Sequence, residues 1–468
     1  MIEFRTEKIN DRITRIRGVM DEYMYLVVGA ERAALLDTGS GFGSLKALVD
    51  NLTDTPVTVL ISHGHVDHAM GAAEFNDVYM NREDEYIYNR HGERDFRLSE
   101  VKNSPISESF DDRDYVETAP LSHFHDLKDG MSFDLGGLHI DVYACPGHTR
   151  GSLVFLIRED RVLMSGDAAN DATFLFGDYS LSVDIYRDNL IRLNKKIGGK
   201  FDRVLTCHHS GEVGASVIDG LITVCDEILA GRSDDIPFPF HGTLGFIAKK
   251  MQPPQMIRLD GGVGNLIFSA REKMSILVHL AESGDPKAQA LLGNGYLTGQ
   301  AGKVDLSLAE KWSRLAAEQG EPMAMTNLGI ILKKSEPQRA LGSFLASAEK
   351  GYFKAYRYIG LVYELTEPAK AVIAFRQGAE MGDITSQYHM GRCYENGIGV
   401  QRDYAEAYKW YQLSSERGDR VASDGMVGLA GLYERGLGVD MDMKKAKEWY
   451  EKAARAGNKT AKDKLREL

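Results

Sequence analysis

Apolar and polar positions alternate in short runs along residues 9–37, where the β-prone side chains Ile13, Ile16, Tyr23, Tyr25, Val27 and Val28 predict strand, turn, strand. The run Ala33-Ala34-Leu35-Leu36-Asp37 predicts a further strand that stops at Thr38-Gly39-Ser40-Gly41, with a helix over 44–51. Val57, Val59 and Ile61 then alternate as a half-buried strand does, so the chain should leave a sheet at Ser62. Residues 131–142 resume the pattern with Phe133, Leu135, Leu138, Ile140 and Val142 around the turn Gly136-Gly137. Strands over 153–157 and 162–164, a helix over 185–197 and a strand over 203–206 complete a chain in which strand and helix alternate, as a layered α/β domain requires. Between these, residues 83–125 carry many charges and no clear period, which predicts a lid or insertion around the mouth of a site.

Near Phe268 the pattern changes to glycine-led units starting at Gly284, Gly320, Gly351, Gly382, Gly418 and Gly457, with spacings of 36, 31, 31, 36 and 39 residues. That period belongs to helix-turn-helix solenoids. Seven residues before the next glycine stands an aromatic, as in Phe344, Phe375, Tyr411 and Tyr450, with Ser313 the exception; Trp312, Trp410 and Trp449 lie one residue earlier. The two 31-residue units lack the Gly-x-Gly-Val loop of their neighbours, so their helix pairs should be joined more tightly. Residues 269–281 read as a capping helix. The boundary gives an α/β domain over 1–268 and an all-α repeat domain over 269–468.

A chain of 468 residues fits this two-domain division, and 43% hydrophobic with 26% charged residues is ordinary for globular protein. The formal charge of −12 offers no electrostatic footprint for nucleic acid or for an anionic membrane. The first seven residues lack the basic-then-apolar pattern of a secretory signal, no stretch approaches 18 apolar residues, and Cys145, Cys207, Cys225 and Cys393 form no Cys-x-x-Cys pair. These features predict a cytoplasmic protein with reduced thiols.

The strongest chemical signal is His63-Gly64-His65-Val66-Asp67-His68, three imidazoles and a carboxylate in six positions of a chain with 13 histidines. Continued extension would put His63 and His65 on one side, and the turn into the following helix would aim Asp67 and His68 just beyond them. Donors so closely set suit two adjacent metal ions better than one.

The hexapeptide resembles the HxHxDH signature of the metallo-β-lactamase superfamily. Pro146-Gly147-His148-Thr149 with Gly151-Ser152 is similar to that family's second motif, Ser165-Gly166-Asp167 to its third, and Val204-Leu205-Thr206-Cys207-His208 to its last. The resemblance implies a four-layer αββα sandwich. It also implies a ligand set: His63, His65 and His148 for a first metal, Asp67, His68 and His208 for a second, and Asp167 bridging both. Zinc is the expected ion, and iron or manganese would be accepted by the same donors. Two cations sharing a water lower its pKa toward neutrality, so Asp67 and Asp167 become the expected catalytic carboxylates of a hydrolase using a metal-bridging hydroxide. In the second half, residues 394–400 and 433–439 resemble the Sel-one-like subfamily of tetratricopeptide-type repeats, which implies a protein partner.

Other residues are softer candidates. His209 follows His208 and competes with it as ligand, family spacing favouring His208 and leaving His209 as a pocket group. Asn170, Phe174, Phe176 and Tyr186 could line a substrate pocket, although an aromatic near a site is more often core. His91, His123 and His125 read as lone surface histidines, Cys145 and Cys207 as packing groups, and His241 lies in a proline-rich stretch that could cap the mouth. The substrates expected are a small ester, thioester, lactone or phosphoester. Antibiotic hydrolysis is disfavoured by the missing export signal, nuclease action by the charge, the flavodiiron branch by His65 and the repeats, and a one-iron dioxygenase by the intact second donor set. The alternative from another class is an interaction scaffold whose hydrolase fold acts as a sensor.

Overall fold

The computed structural model describes residues 4–102, 112–240, 242–252 and 256–468. The chain divides into two compact units, Met1–Ile276 and Leu277–Leu468.

In the first unit a meander of β1 (Arg5–Lys8), β2 (Ile13–Arg17), β3 (Tyr23–Val28) and β4 (Ala33–Leu36) opens a mixed sheet. Helix α1 (Leu45–Leu52), whose first turn is capped by Ser44 accepting the Ala47 N–H, then crosses to β5 (Val57–Leu60), parallel to β4. After α2 (Val66–Ala69) come β6 (Val78–Met80), α3 (Glu85–His91), α4 (Arg94–Lys102) and β7 (Phe124–Asp126), and the sheet runs in order from β1 to β7.

Four strands of the second sheet follow: β8 (Ser132–Asp134), β9 (His139–Ala144), β10 (Leu153–Ile157) and β11 (Val162–Gly166). Next come β12 (Thr173–Leu175), α5 (Val183–Ile197), β13 (Arg203–Thr206), β14 (Glu212–Gly214) and α6 (Val217–Leu229), giving the spatial order β14-β13-β11-β10-β9-β8. A small third sheet joins β12 to the hairpin β15 (Ile236–Phe240) and β16 (Thr243–Ile247) through a later strand, Leu266–Ser269. Pro237 and Pro239 lie on its edge strand β15, where a missing N–H breaks no ladder. His241, suggested as a cap for the mouth, falls outside the described residues.

Strand periodicity sorts the side chains into layers. Ala34 and Leu36 of β4 meet Leu153, Phe155 and Ile157 of β10 in the core between the two sheets. Their neighbours Ala33 and Leu35 pack outward with Leu45 and Val49 of α1, and Val154 and Leu156 pack outward on Tyr186, Leu190 and Leu193 of α5. This is a four-layer αββα sandwich. Each fully buried large apolar side chain contributes roughly 1.5–3 kcal/mol, and a one-residue slip in any strand would exchange its two sets.

Residues 83–125, expected as an irregular lid, contain α3, α4 and β7, and β7 extends the first sheet beside β6. The period was hidden because α4 turns Arg97, fully buried, into the protein where an apolar residue would be expected. Its guanidinium donates to the carbonyls of Ser40, Gly41 and Val116.

In the second unit helices pair antiparallel in a helical-repeat solenoid. In units of the longer period seven residues, 397–403 and 436–442, join the two helices, and Gly397 and Gly436 close the first helix in the left-handed conformation. In the 31-residue units the connectors are four residues, 333–336 and 364–367, each followed by a proline at the first helical position. The register aromatic explains the helical glycines: a Cβ at Gly391 would lie 2.5 Å from the Tyr411 ring, and Gly329 and Gly360 sit equally tight against Phe344 and Phe375. Close packing outweighs the roughly 1 kcal/mol that glycine costs inside a helix.

Candidate metal centre

The parallel pairings β4 with β5 and β11 with β13, and the antiparallel steps from β9 to β11, put the C-terminal ends of five strands at one edge of the sandwich. The chain leaves them at Asp37, His63, His148, Asp167 and His208. Three imidazole nitrogens converge there: His65 Nδ1 lies 3.1 Å from His63 Nε2 and 2.9 Å from His148 Nε2. Beside them stands a second group. Asp67 Oδ2 is 3.0 Å from His208 Nε2 and 3.6 Å from His68 Nε2, while Asp167 Oδ2 is 3.4 and 3.5 Å from the same two nitrogens. Asp167 Oδ2 also lies 4.0 Å from His63 Nε2 and 3.7 Å from His148 Nε2, within reach of both groups.

Partner chemistry fixes which ring nitrogens are free. A carbonyl and a carboxylate only accept, so His148 Nδ1–H donates to Phe174 O at 2.7 Å and His68 Nδ1–H donates to Asp37 Oδ2 at 2.8 Å. Ser62 Oγ–H also donates to Asp37 Oδ2, which leaves the Ser62 oxygen to accept from His63 Nδ1 at 3.0 Å. His63, His68 and His148 therefore all turn Nε2 toward the cluster. His68 Nε2 is sealed from solvent and has no hydrogen-bond partner. Around a tetrahedral zinc ion, with bonds of about 2.0–2.1 Å, neighbouring donors sit roughly 3.3 Å apart. The spacings above bracket that value, so both groups could hold a divalent cation.

Electrostatics follow the same division. Burial, reinforced by neighbouring imidazoles, holds His63 and His65 well below the usual histidine range. Burial also opposes charge on His68 and His208, but the carboxylates outweigh it: Asp67, Asp37 and Asp167 lift His68 well above that range, and Asp167 with Asp67 lifts His208 to about 10. Burial would raise Asp67 and Asp167, yet His68 and His208 keep both ionised. His63 and His65 are thus neutral nitrogen donors, and the second group sets two carboxylates against two imidazolium rings.

Two carboxylates that local sequence did not single out hold the loops. Asp37 sits at φ +66°, which costs an L residue roughly 1–2 kcal/mol. The hydrogen bonds from Ser62 N–H, Ser62 Oγ–H and His68 Nδ1–H offset that cost. Asp84, buried just before α3, accepts from Gly64 N–H, Gly151 N–H and Thr149 Oγ1 at 2.7–2.9 Å and so ties the His63–His65 loop to the His148 loop. A carboxylate directly after a fully apolar strand was a usable signal for Asp37, whereas nothing near Asp84 marks it.

The remaining candidates are dispersed. Asn170 Nδ2 donates to Asp167 Oδ1 at 3.3 Å. Phe174 is half-buried against Phe238 and Phe240, and Phe176 meets Phe240. Tyr186 is fully buried, its hydroxyl donating to Ala168 O and its ring filling the space a side chain at Gly147 would need, so it belongs to the core under the His148 loop. His208 enters the cluster, whereas His209 adopts φ +56° on the exposed side with its ring 6.1 Å from that of His208. Cys145 packs in the outer core, its thiol raised by burial to about 12, and the Cys207 Sγ lies 3.6 Å from Asp37 Oδ2 behind His68. His123 donates to Ala72 O and His125 is exposed. His91, read as a surface residue, is instead buried against the His65 ring.

A sandwich carrying this constellation defines a metal-site protein of the αββα class. Residues 17–214 match the family model of the Metallo-beta-lactamase superfamily, and residues 286–321, 384–419 and 423–458 match the Sel1 repeat. An uncharacterised protein of Mycobacterium leprae is 32% identical over 174 residues, covering 34% of this chain and 74% of its own. Acyl-coenzyme A thioesterase MBLAC2 of Bos taurus is 27% identical over 168 residues, covering 32% of this chain and 60% of that protein. Among solved structures, a Sel1 repeat protein from Oxalobacter formigenes is 28% identical, with 42% of this chain and 82% of that one covered at a TM-score of 0.37. The chain belongs to the metallo-β-lactamase superfamily and carries Sel1 repeats in its second unit. No described helix is long and apolar enough to cross a membrane.

Proposed function

We propose that the N-terminal unit is a hydrolase of small acyl substrates, thioesters first, that works with two divalent ions, zinc before iron or manganese. The observation that carries this reading is the reach of Asp167 Oδ2 to both donor groups. His63, His65 and His148 would hold one ion, Asp67, His68 and His208 the other, with Asp167 between them. Bound there, such ions supply the acidity that makes hydroxide from water near neutral pH and polarise an acyl oxygen.

The protein's part is to hold those donors still and correctly protonated. Asp37 keeps the proton of His68 on Nδ1, and the Phe174 carbonyl does the same for His148. Asp67 and Asp167 stay anionic beside His208, so both would offer charged oxygens to the cations and accept hydrogen bonds from an incoming water. The thioesterase name of one relative favours thioesters over lactones and phosphoesters. The repeats would bind a protein partner on their helical surface, and four free, buried cysteines suit the cytoplasm.

The test is elemental analysis of the full-length protein, followed by turnover of an acyl-coenzyme A thioester, an aryl ester, a lactone and a phosphodiester. Two ions per chain and thioester hydrolysis that disappears in Asp167→Asn are expected. A metal-free protein inactive on all four substrates would overturn the reading and leave the sensor scaffold in its place.

A further inference from the structure

His91 closes α3 and is 9% exposed. Its Nδ1 accepts the Val66 N–H at 3.2 Å, so the neutral ring must carry its proton on Nε2. That Nε2–H has no hydrogen-bond partner among the described residues, and it is not sealed as His65 Nε2 and His68 Nε2 are. It is therefore an open donor beside a ring of the proposed metal centre.

The ring is clamped in place. One face stacks on His65 at 4.8 Å and 20°, the other on Phe96 at 4.5 Å and 21°. Tyr179 stands edge-on to both His65 and His91, with ring centroids 4.7 and 6.1 Å away. Tyr179 also lines a cleft of ≈ 290 Å³ together with Asp84, Ile87 and Arg150. Ile87 lies one turn before His91 on α3, and Tyr179 links the two, lining the cleft and touching the His91 ring. A stack alone would be served by phenylalanine. A donor that solvent can reach gives up its water for a ligand oxygen at little cost.

We infer that His91 is a substrate-orienting residue whose Nε2–H takes a hydrogen bond to an acyl or carboxylate oxygen held between the metal centre and the Tyr179 cleft. The inference rests on the hydrolase reading and adds the group that recognises the acyl oxygen. Recognition is by one neutral donor, so it favours an oxygen acceptor of any acyl chain and gives no charge selectivity.

Two variants separate this from a buttressing role. His91→Gln retains an acceptor for Val66 N–H and a donor in place of Nε2–H, and His91→Phe retains only the stack. Acetate serves as the carboxylate probe, titrated calorimetrically into the full-length protein at pH 7, with metal content measured on the same samples. Acetate binding about tenfold weaker in His91→Phe, near wild type in His91→Gln, and equal metal content in all three are expected. Equal acetate affinity in His91→Phe, no recovery in His91→Gln, or loss of metal in step with affinity would overturn the inference. Should His91→Phe not fold, the ¹⁵N-imidazole spectrum of the wild type decides. Acetate must shift the Nε2–H resonance that is missing in His91→Gln, and an unmoved resonance rejects the assignment. Wild-type metal content and thioester turnover report separately on the hydrolase reading: acetate binding that depends on His91 in an inactive protein would sink that reading alone.

Discussion

In the first unit the side chains buried at the strand ends are carboxylates and imidazoles, among them Asp37, His63, His68, His148 and Asp167, all under 10% exposed. The helix pairs of the second unit instead bury alanine, glycine and a register ring such as Phe344, Phe375 or Tyr411. A polar cluster is held by hydrogen bonds that each need one partner in one place, so losing a single atom pair leaves buried charge behind. A repeated apolar interface spreads its stability over many small contacts. Precision in the first unit and tolerance in the second follow from that contrast.

The largest effect is expected at the residue both donor groups share. Asp167→Ala should remove most bound metal and lower thioester turnover by at least ~10³-fold, as read by elemental analysis and steady-state rates. The repeat unit should keep its hydrogen-exchange protection; protection lost there as well would erase the contrast. Asp84→Ala comes next. It strands the Gly64 and Gly151 N–H groups, while the Thr149 hydroxyl keeps Ser152 Oγ, and at roughly 1–3 kcal/mol for each buried unsatisfied group it should destabilise the first unit by about 2–6 kcal/mol. Denaturant titration with exchange mass spectrometry localises the loss, and a change under ~1 kcal/mol would show that Asp84 does not pin the two loops.

A smaller effect is expected in the repeats. Gly391→Ala presses a methyl against the Tyr411 ring and should cost about 1–3 kcal/mol while metal content stays unchanged. The smallest is a pH effect in the same unit. His389 stacks on Phe375 at 4.6 Å and 8°, and burial, aided by Arg392 and Arg357, lowers it to about 4. The folded unit therefore prefers the neutral ring, and the stability this confers is complete above pH 6.5. It declines as pH falls toward 4, because the unfolded chain takes up the proton first. His389→Gln should flatten that acid limb in a thermal-melt series, and an unchanged limb would assign it to other groups.

How far the chain could be read in advance depended on whether a signal was local. Strands β3, β4 and β5 stood out because their β-prone and apolar side chains are gathered within a few residues, and the hexapeptide because its donors are adjacent. Helix α4 did not, since Arg97 fills a core position that only the carbonyls of Ser40, Gly41 and Val116 make tolerable. Asp84 and His91 were hidden for the same reason: their partners Gly151 and His65 lie far away in sequence. Tyr186 was expected near a pocket for its closeness to Asp167 in sequence, but the inward face of α5 carries it into the core.

By itself the amino-acid sequence determined where strands and helices form, where the repeats begin and which residue types are available as donors, because periodicity, turn chemistry and ligand type are properties of neighbours along the chain. Only the tertiary structure decided which nitrogen of each histidine faces the cluster, that Asp167 reaches both groups, and that His91 stacks on the ring of His65. Those outcomes depend on contacts between segments such as those of His65 and His148, 83 positions apart, and no local pattern can encode a partner that only folding brings near.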